Sequence, residues 1–95
     1  MSAFMIVDVD IKDMDIYRKY MEQVKPLIEK FGGKYLVRGG ELDVLEGSWS
    51  PTRIVLVEFK DIDTIRAFFD SPEYEPLKQI RRSCSTIDVT AVEGM

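Results

Sequence analysis

The segment from Arg53 to Phe59, RIVLVEF, constrains this chain more than any other. Successive residues of a strand point to opposite faces, so Ile54, Val55, Leu56 and Val57 make a strand apolar on both sides. Such a strand has to lie inside a sheet that is covered above and below. Lys34 to Arg38 reads as the preceding strand, running into Gly39-Gly40 and resuming as Val44 to Glu46. The two strands double back on each other through Gly47-Ser48-Trp49-Ser50-Pro51. Glycine inside a strand weakens it, so Gly39-Gly40 is expected to mark a bulge or a sharp bend.

Around this pair the pattern alternates between strand and helix. From Ala3 to Ile11, Met5, Val7, Val9 and Ile11 fall on one face and Phe4, Ile6, Asp8 and Asp10 on the other, the period of a strand. Asp13 is an N-cap for a helix whose apolar side is Tyr17, Tyr20, Met21, Val24, Leu27, Ile28 and Phe31. The apolar phase continues across Pro26, which predicts one helix, kinked, with Pro26 on its polar side; Gly32-Gly33 stops it. Asp61 or Asp63 caps a short helix carrying Ile65, Phe68 and Phe69, and Ser71-Pro72 opens another with Tyr74, Leu77 and Ile80. Thr86 to Glu93 alternates again, with Ile87, Val89 and Ala91 on one side.

The order is therefore strand, helix, strand, strand, helix, strand. This is an α+β, ferredoxin-like βαββαβ plan with a four-stranded antiparallel sheet. The first and third strands should be central neighbours, with the helices on one face. The other face, carrying Phe4, Ile6 and a row of the third strand, would meet water unless something covers it. The sheet of a second subunit is the simplest cover, so a homodimer is expected.

Composition removes several classes of function. With 95 residues the chain is expected to form a single domain, 1–95. A net charge of −4 argues against binding a phosphate backbone. The adjacent pair Arg81-Arg82 reads as a complement to a helix dipole. One cysteine, Cys84, permits no internal disulfide, and with no histidine it has no partner base; it reads as a small buried side chain. The apolar run at the N-terminus is broken at Asp8, too early for a signal peptide, and no run approaches a membrane span. The expectation is a cytoplasmic protein without nucleic acid or membrane partners and without a cofactor.

Three motifs bring in a resemblance. GGKYLVRGG, then LEGSWSPTR before a strand ending Glu58-Phe59, then SPEY followed by Leu77 and Arg81, resemble the uncharacterised family catalogued as domain of unknown function 1330. The resemblance spans nearly the whole chain and implies a dimeric α/β barrel, two ferredoxin-like subunits packed sheet against sheet. Relatives in the wider group resemble cofactor-free monooxygenases of quinol-like compounds, lactone isomerases or haem enzymes. The haem branch uses a histidine that this chain lacks, and the family has no accepted catalytic residues to carry over.

The candidate site residues are Asp8, Arg38, Trp49, Glu58 and Tyr74. If Phe4, Ile6, Leu36, Ile54 and Leu56 face the partner sheet, then Asp8, Arg38 and Glu58 share that apolar surface. Ionised groups there need partners. The trio would be either a structural ion pair near the barrel rim or a pocket for a small organic acid or enol. In the second case a carboxylate, Asp8 or Glu58, is the base and Arg38 stabilises the anion. Trp49 and Tyr74, beside turns, would pack across the dimer or wall the pocket. The acidic run Asp8, Asp10, Asp13, Asp15 lacks the glycine and terminal glutamate of a calcium loop, so no metal is expected. Binding of a small organic molecule in a sheet-lined pocket is the leading functional reading. Cofactor-free oxygenation or isomerisation of a small hydrophobic metabolite is the alternative.

Overall fold

The computed structural model describes residues 2–95. Its elements are β1 (Ala3–Ile11), α1 (Met14–Lys30), β2 (Lys34–Arg38), β3 (Ile54–Phe59), α2 (Ile62–Phe69), α3 (Glu75–Cys84) and β4 (Ser85–Glu93). All strand pairs are antiparallel and the order is β2-β3-β1-β4, which puts β1 and β3 at the centre. This is the ferredoxin-like arrangement expected from the hydrophobic pattern.

Local chemistry explains where the helices begin and end. The Asp13 carboxylate accepts hydrogen bonds from the amides of Asp15 and Ile16, satisfying two donors that a helix start leaves free. α1 runs through Pro26, whose side is exposed, so the carbonyl that loses its partner can be hydrated. Gly32 (φ 80°) turns the chain out of the helix, and the Gly33 amide returns to the carbonyl of Ile28 at 2.8 Å. Gly33 has no side chain for a second reason: a Cβ there would collide with Ile28 and Phe59. Asp61 caps α2 through the Thr64 amide at 2.8 Å. α3 starts later than Ser71-Pro72 suggests. Ser71 closes a turn by accepting from the Tyr74 amide, and the helix proper begins at Glu75 with Pro76 in its first turn.

The helices cover one face only. Ala3, Met5, Val7 and Val9 of β1 and Val55, Val57 and Phe59 of β3 are buried there, against Tyr17, Tyr20, Val24 and Ile28 of α1 and Ile65, Phe68, Tyr74, Leu77 and Cys84. On the opposite face Phe4, Ile6, Ile54 and Leu56 are half-buried, with Val37 and Val92 exposed beside them.

Two expectations fail between β2 and β3. No strand forms at Val44–Glu46: residues 40–53 make an irregular arm on which Leu45 is almost fully exposed. Once β2 pairs with β3, the residues beyond it have no free edge of β3 to join, and Gly39 (φ 74°) directs the chain away. Of the bulge or sharp bend expected at Gly39-Gly40, the bend forms, at Gly39, and the bulge lies upstream of it. Tyr35 pairs with Val57 but Val37 already pairs with Leu56, so Leu36 is the extra residue. One extra residue exchanges the faces of everything after it. Arg38 consequently stands opposite Val55, on the helix side of the sheet, and not beside Asp8 and Glu58.

Candidate functional site

The shift at Leu36 gives the helix side of the sheet an uncommon set of polar groups. A cavity of about 40 Å³ lies between the sheet and the helices, floored by Met5, Val7, Val55 and Val57. The chain has four tyrosines, and all of them line it: Tyr17 and Tyr20 from α1, Tyr35 from β2 and Tyr74 from the turn before α3. Arg38 and Arg53 line it too, with no aspartate or glutamate among the lining residues. The space amounts to a few waters, at roughly 10–15 Å³ each. The unbranched, adaptable Met21 and the exposed Arg38 stand among its lining residues.

Tyr20 and Tyr74 form a buried pair, their hydroxyl oxygens 2.8 Å apart. Two hydroxyls carry two protons and the pair consumes one, so one O–H remains available as a donor. Burial pushes the Tyr20 phenol far above its ordinary range, and the neighbouring Tyr74 adds to the effect. Tyr35 is pushed up to about 12, again mainly by burial, against the opposing charge of Arg38. Tyr17 is raised by burial, opposed by the positive charges of Arg53 and Arg81. These phenols are neutral hydrogen-bond donors at neutral pH, not bases.

Arg53 is held where β3 begins. Its carbonyl accepts from the Val9 amide at 3.0 Å, and its guanidinium lies over Gly39, where a Cβ would collide with it. Among the described residues Nη2 meets only the Met21 thioether, at 3.8 Å, a weak acceptor, and Nε is buried without a partner. The Arg38 guanidinium stands 4.8 Å from the centre of the Tyr35 ring, within cation–π range. Behind this wall Arg81 of α3 is only 2% exposed, with Nε and Nη1 unpartnered. The Lys78 ammonium lies over the Phe69 and Tyr74 rings.

The candidate residues thus divide. Arg38 and Tyr74 meet at the helix-side cavity; Asp8, Glu58 and Trp49 do not. Asp8 lies on the open face and fastens the arm: Oδ1 accepts from the amides of Thr52 at 2.9 Å and Arg53 at 3.4 Å, and Oδ2 from the Trp49 indole at 3.3 Å. Glu58 shares that face but pairs with Phe4 and Lys34, whereas Asp8 pairs with Ile54. Four residues of strand, about 13 Å, separate the two carboxylates. The expected trio of Asp8, Arg38 and Glu58 is therefore not assembled. Trp49 is 64% exposed and borders an open groove with Leu42, Val44, Leu45 and Pro51. Periodicity alone does not mark Tyr17, Tyr20, Tyr35 and Arg53 as site residues, although Tyr17 and Tyr20, three apart on a buried helical face, signal phenol groups that need partners. Among the described residues, no group of three histidine, cysteine, aspartate or glutamate side chains could hold a metal. No helix among the described residues is long and apolar enough to cross a membrane.

Sheet order and helix placement define a ferredoxin-like α+β fold. The chain belongs to the family described as Domain of unknown function (DUF1330), whose model matches residues 2–95. Solved structures agree on the fold. A protein of unknown function from Rhodopseudomonas palustris superposes with a TM-score of 0.80 at 15% identity, covering 99% of this chain and 82% of that one. A dimeric ferredoxin-like protein of unknown function from Jannaschia sp. CCS1 gives 0.70 at 15% identity, covering 99% and 100%. SnoaB, a cofactor-independent oxygenase from Streptomyces nogalater, gives 0.69 at 11% identity, covering 99% and 93%. No curated protein matches the sequence.

Proposed function

We propose that this protein is a homodimer that binds a small organic molecule in the cavity between its sheet and its helices. One observation carries the binding reading: every tyrosine in the chain converges on one apolar space. Apolar walls with a few aimed polar groups are the usual make-up of a small-molecule site. The dimer is supported by the apolar open face and by the dimeric ferredoxin-like relative from Jannaschia.

The second reading, cofactor-free oxygenation or isomerisation of a small hydrophobic metabolite, draws on the fold shared with SnoaB. In its present form it lacks a base. Asp8 and Glu58 are on the other face of the sheet, and the phenols of Tyr17, Tyr20 and Tyr35 hold their protons. Binding is the reading the geometry favours.

A melting-shift screen of small acids, amides, phenols and alcohols tests it, run on the parent and on Val89→Phe. Val89 lines the cavity and is only half-buried, so a phenyl ring there fills the space. The reading expects compounds that raise the parent's melting temperature and leave Val89→Phe unmoved. Stabilisation that persists in the filled variant, or no stabilising compound of any class, contradicts it.

A further inference from the structure

We infer that the ligand of this cavity is an organic anion, a carboxylate or an enolate, whose oxygens are held by Arg53 with help from Arg38; this rests on the cavity being the binding site. Among the described residues, none of the ion pairs engages either arginine. No carboxylate lines the space they border. A guanidinium offers five N–H donors in a rigid fork, a shape that matches two carboxylate oxygens. Arg53 has found a thioether for one of these and nothing for its buried Nε.

The fold secures this arrangement and does not merely tolerate it. Gly39 gives up its side chain to make room for the Arg53 guanidinium, and on the opposite face of the sheet Asp8 anchors the chain one residue earlier, accepting from the Thr52 amide at 2.9 Å. Arg81, buried and in none of the ion pairs among the described residues, adds positive charge behind Tyr20, whereas Lys78, over the Tyr74 ring, shares its charge with Glu75 at 3.8 Å. A cationic ligand would be repelled by this field, and a neutral one would leave the fork of Arg53 unmatched. An anion satisfies it, and the spare O–H of the Tyr20–Tyr74 pair supplies a further donor to an oxyanion. The five aromatic rings of the lining, Tyr17, Tyr20, Tyr35, Phe69 and Tyr74, suit a flat apolar body on the same molecule.

Benzoate and its neutral isostere benzamide separate the two levels of the reading, titrated calorimetrically into the parent, Arg53→Met and Arg38→Met. The parent should bind benzoate at least about tenfold more tightly than benzamide, the effect of one charge-assisted hydrogen bond. Arg53→Met should erase that preference and Arg38→Met reduce it. On the parent alone, added salt should weaken benzoate and not benzamide, a readout independent of whether either variant folds. Equal affinity for the two compounds, or a benzoate affinity indifferent to salt and to both substitutions, overturns the anion inference while leaving the cavity reading intact. Failure of every acid from acetate to benzoate to bind overturns it as well. Binding of either compound that survives Val89→Phe instead removes the cavity from consideration.

Discussion

Removing the Asp8 carboxylate, as Asp8→Ala, should loosen the arm of residues 40–53 and with it the seat of Arg53. The Thr52 amide at 2.9 Å makes a well-formed bond to a charged acceptor, a class worth about 1.5–3 kcal/mol when lost. The bonds from Trp49 at 3.3 Å and Arg53 at 3.4 Å are long and add little. Two effects reduce the loss. Asp88 stands directly opposite Asp8 on β4, so removing one charge relieves a repulsion of about 0.2–1 kcal/mol. Asp8 is also only half-buried, so water takes over part of what the protein loses. The net cost is about 1–2 kcal/mol. Urea denaturation at one fixed protein concentration measures it, since the stability of an associating chain depends on concentration. Trp49, the single tryptophan, reports the arm directly through a change in indole emission before global unfolding. An unchanged midpoint together with unchanged emission would refute the assignment of Asp8 as the fastening of the arm.

Placing a charge on the open face as Leu56→Asp should give a monomer or an unfolded chain in sedimentation equilibrium, whereas the parent should sediment at twice the 11.0 kDa chain mass; a dimeric variant with unchanged melting contradicts the proposed interface. Alkaline stability follows from the raised phenols. Their folded-state pKa values exceed the unfolded value of about 10, so their contribution is intact below that pH and is lost as the pH climbs toward 12. Unfolding free energies from urea titrations should fall above about pH 10 by roughly 1.4 kcal/mol per pH unit for each phenol that the fold keeps protonated; an unfolding free energy that stays flat over that range contradicts this. Arg81→Met should stabilise the protein by about 1–3 kcal/mol, because it removes a buried charge whose Nε and Nη1 have no partner. A lowered melting temperature would mean that the guanidinium is satisfied by water or by a partner subunit.

The fold was legible because its signals are local and repeated. The alternation in β1 and β4, the Asp13 cap and the Gly32-Gly33 stop each specify one element, and all point to the same sheet. The site was less so, for a reason that comes down to one residue. Nothing in KYLVR announces that Leu36 is an extra residue, since leucine is an ordinary strand former and the visible glycines come three positions later. Counting alternation straight through β2 sends Arg38 to the wrong face and builds a trio with Asp8 and Glu58 that the fold does not contain. Tyr17 and Tyr20 were hidden differently. Their spacing marks a buried helical face, and periodicity distinguishes neither a packed ring from a lining one nor a free hydroxyl from a paired one. Arg53 sits one residue before β3, where its backbone reads as the edge of a turn; its side chain acquires meaning only from the bare surface of Gly39.

The direct test of the central claim is a resonance titration of protein labelled at its tyrosine rings and its tryptophan indole, with benzoate as the added compound. All four tyrosines border the cavity, and Trp49 lies outside it beside the open face. Binding in the cavity should give saturable shifts of the tyrosine signals, those of Tyr20 and Tyr74 included, while the Trp49 signal stays in place. Shifts confined to Trp49 with silent tyrosines would put the ligand on the open face and contradict it.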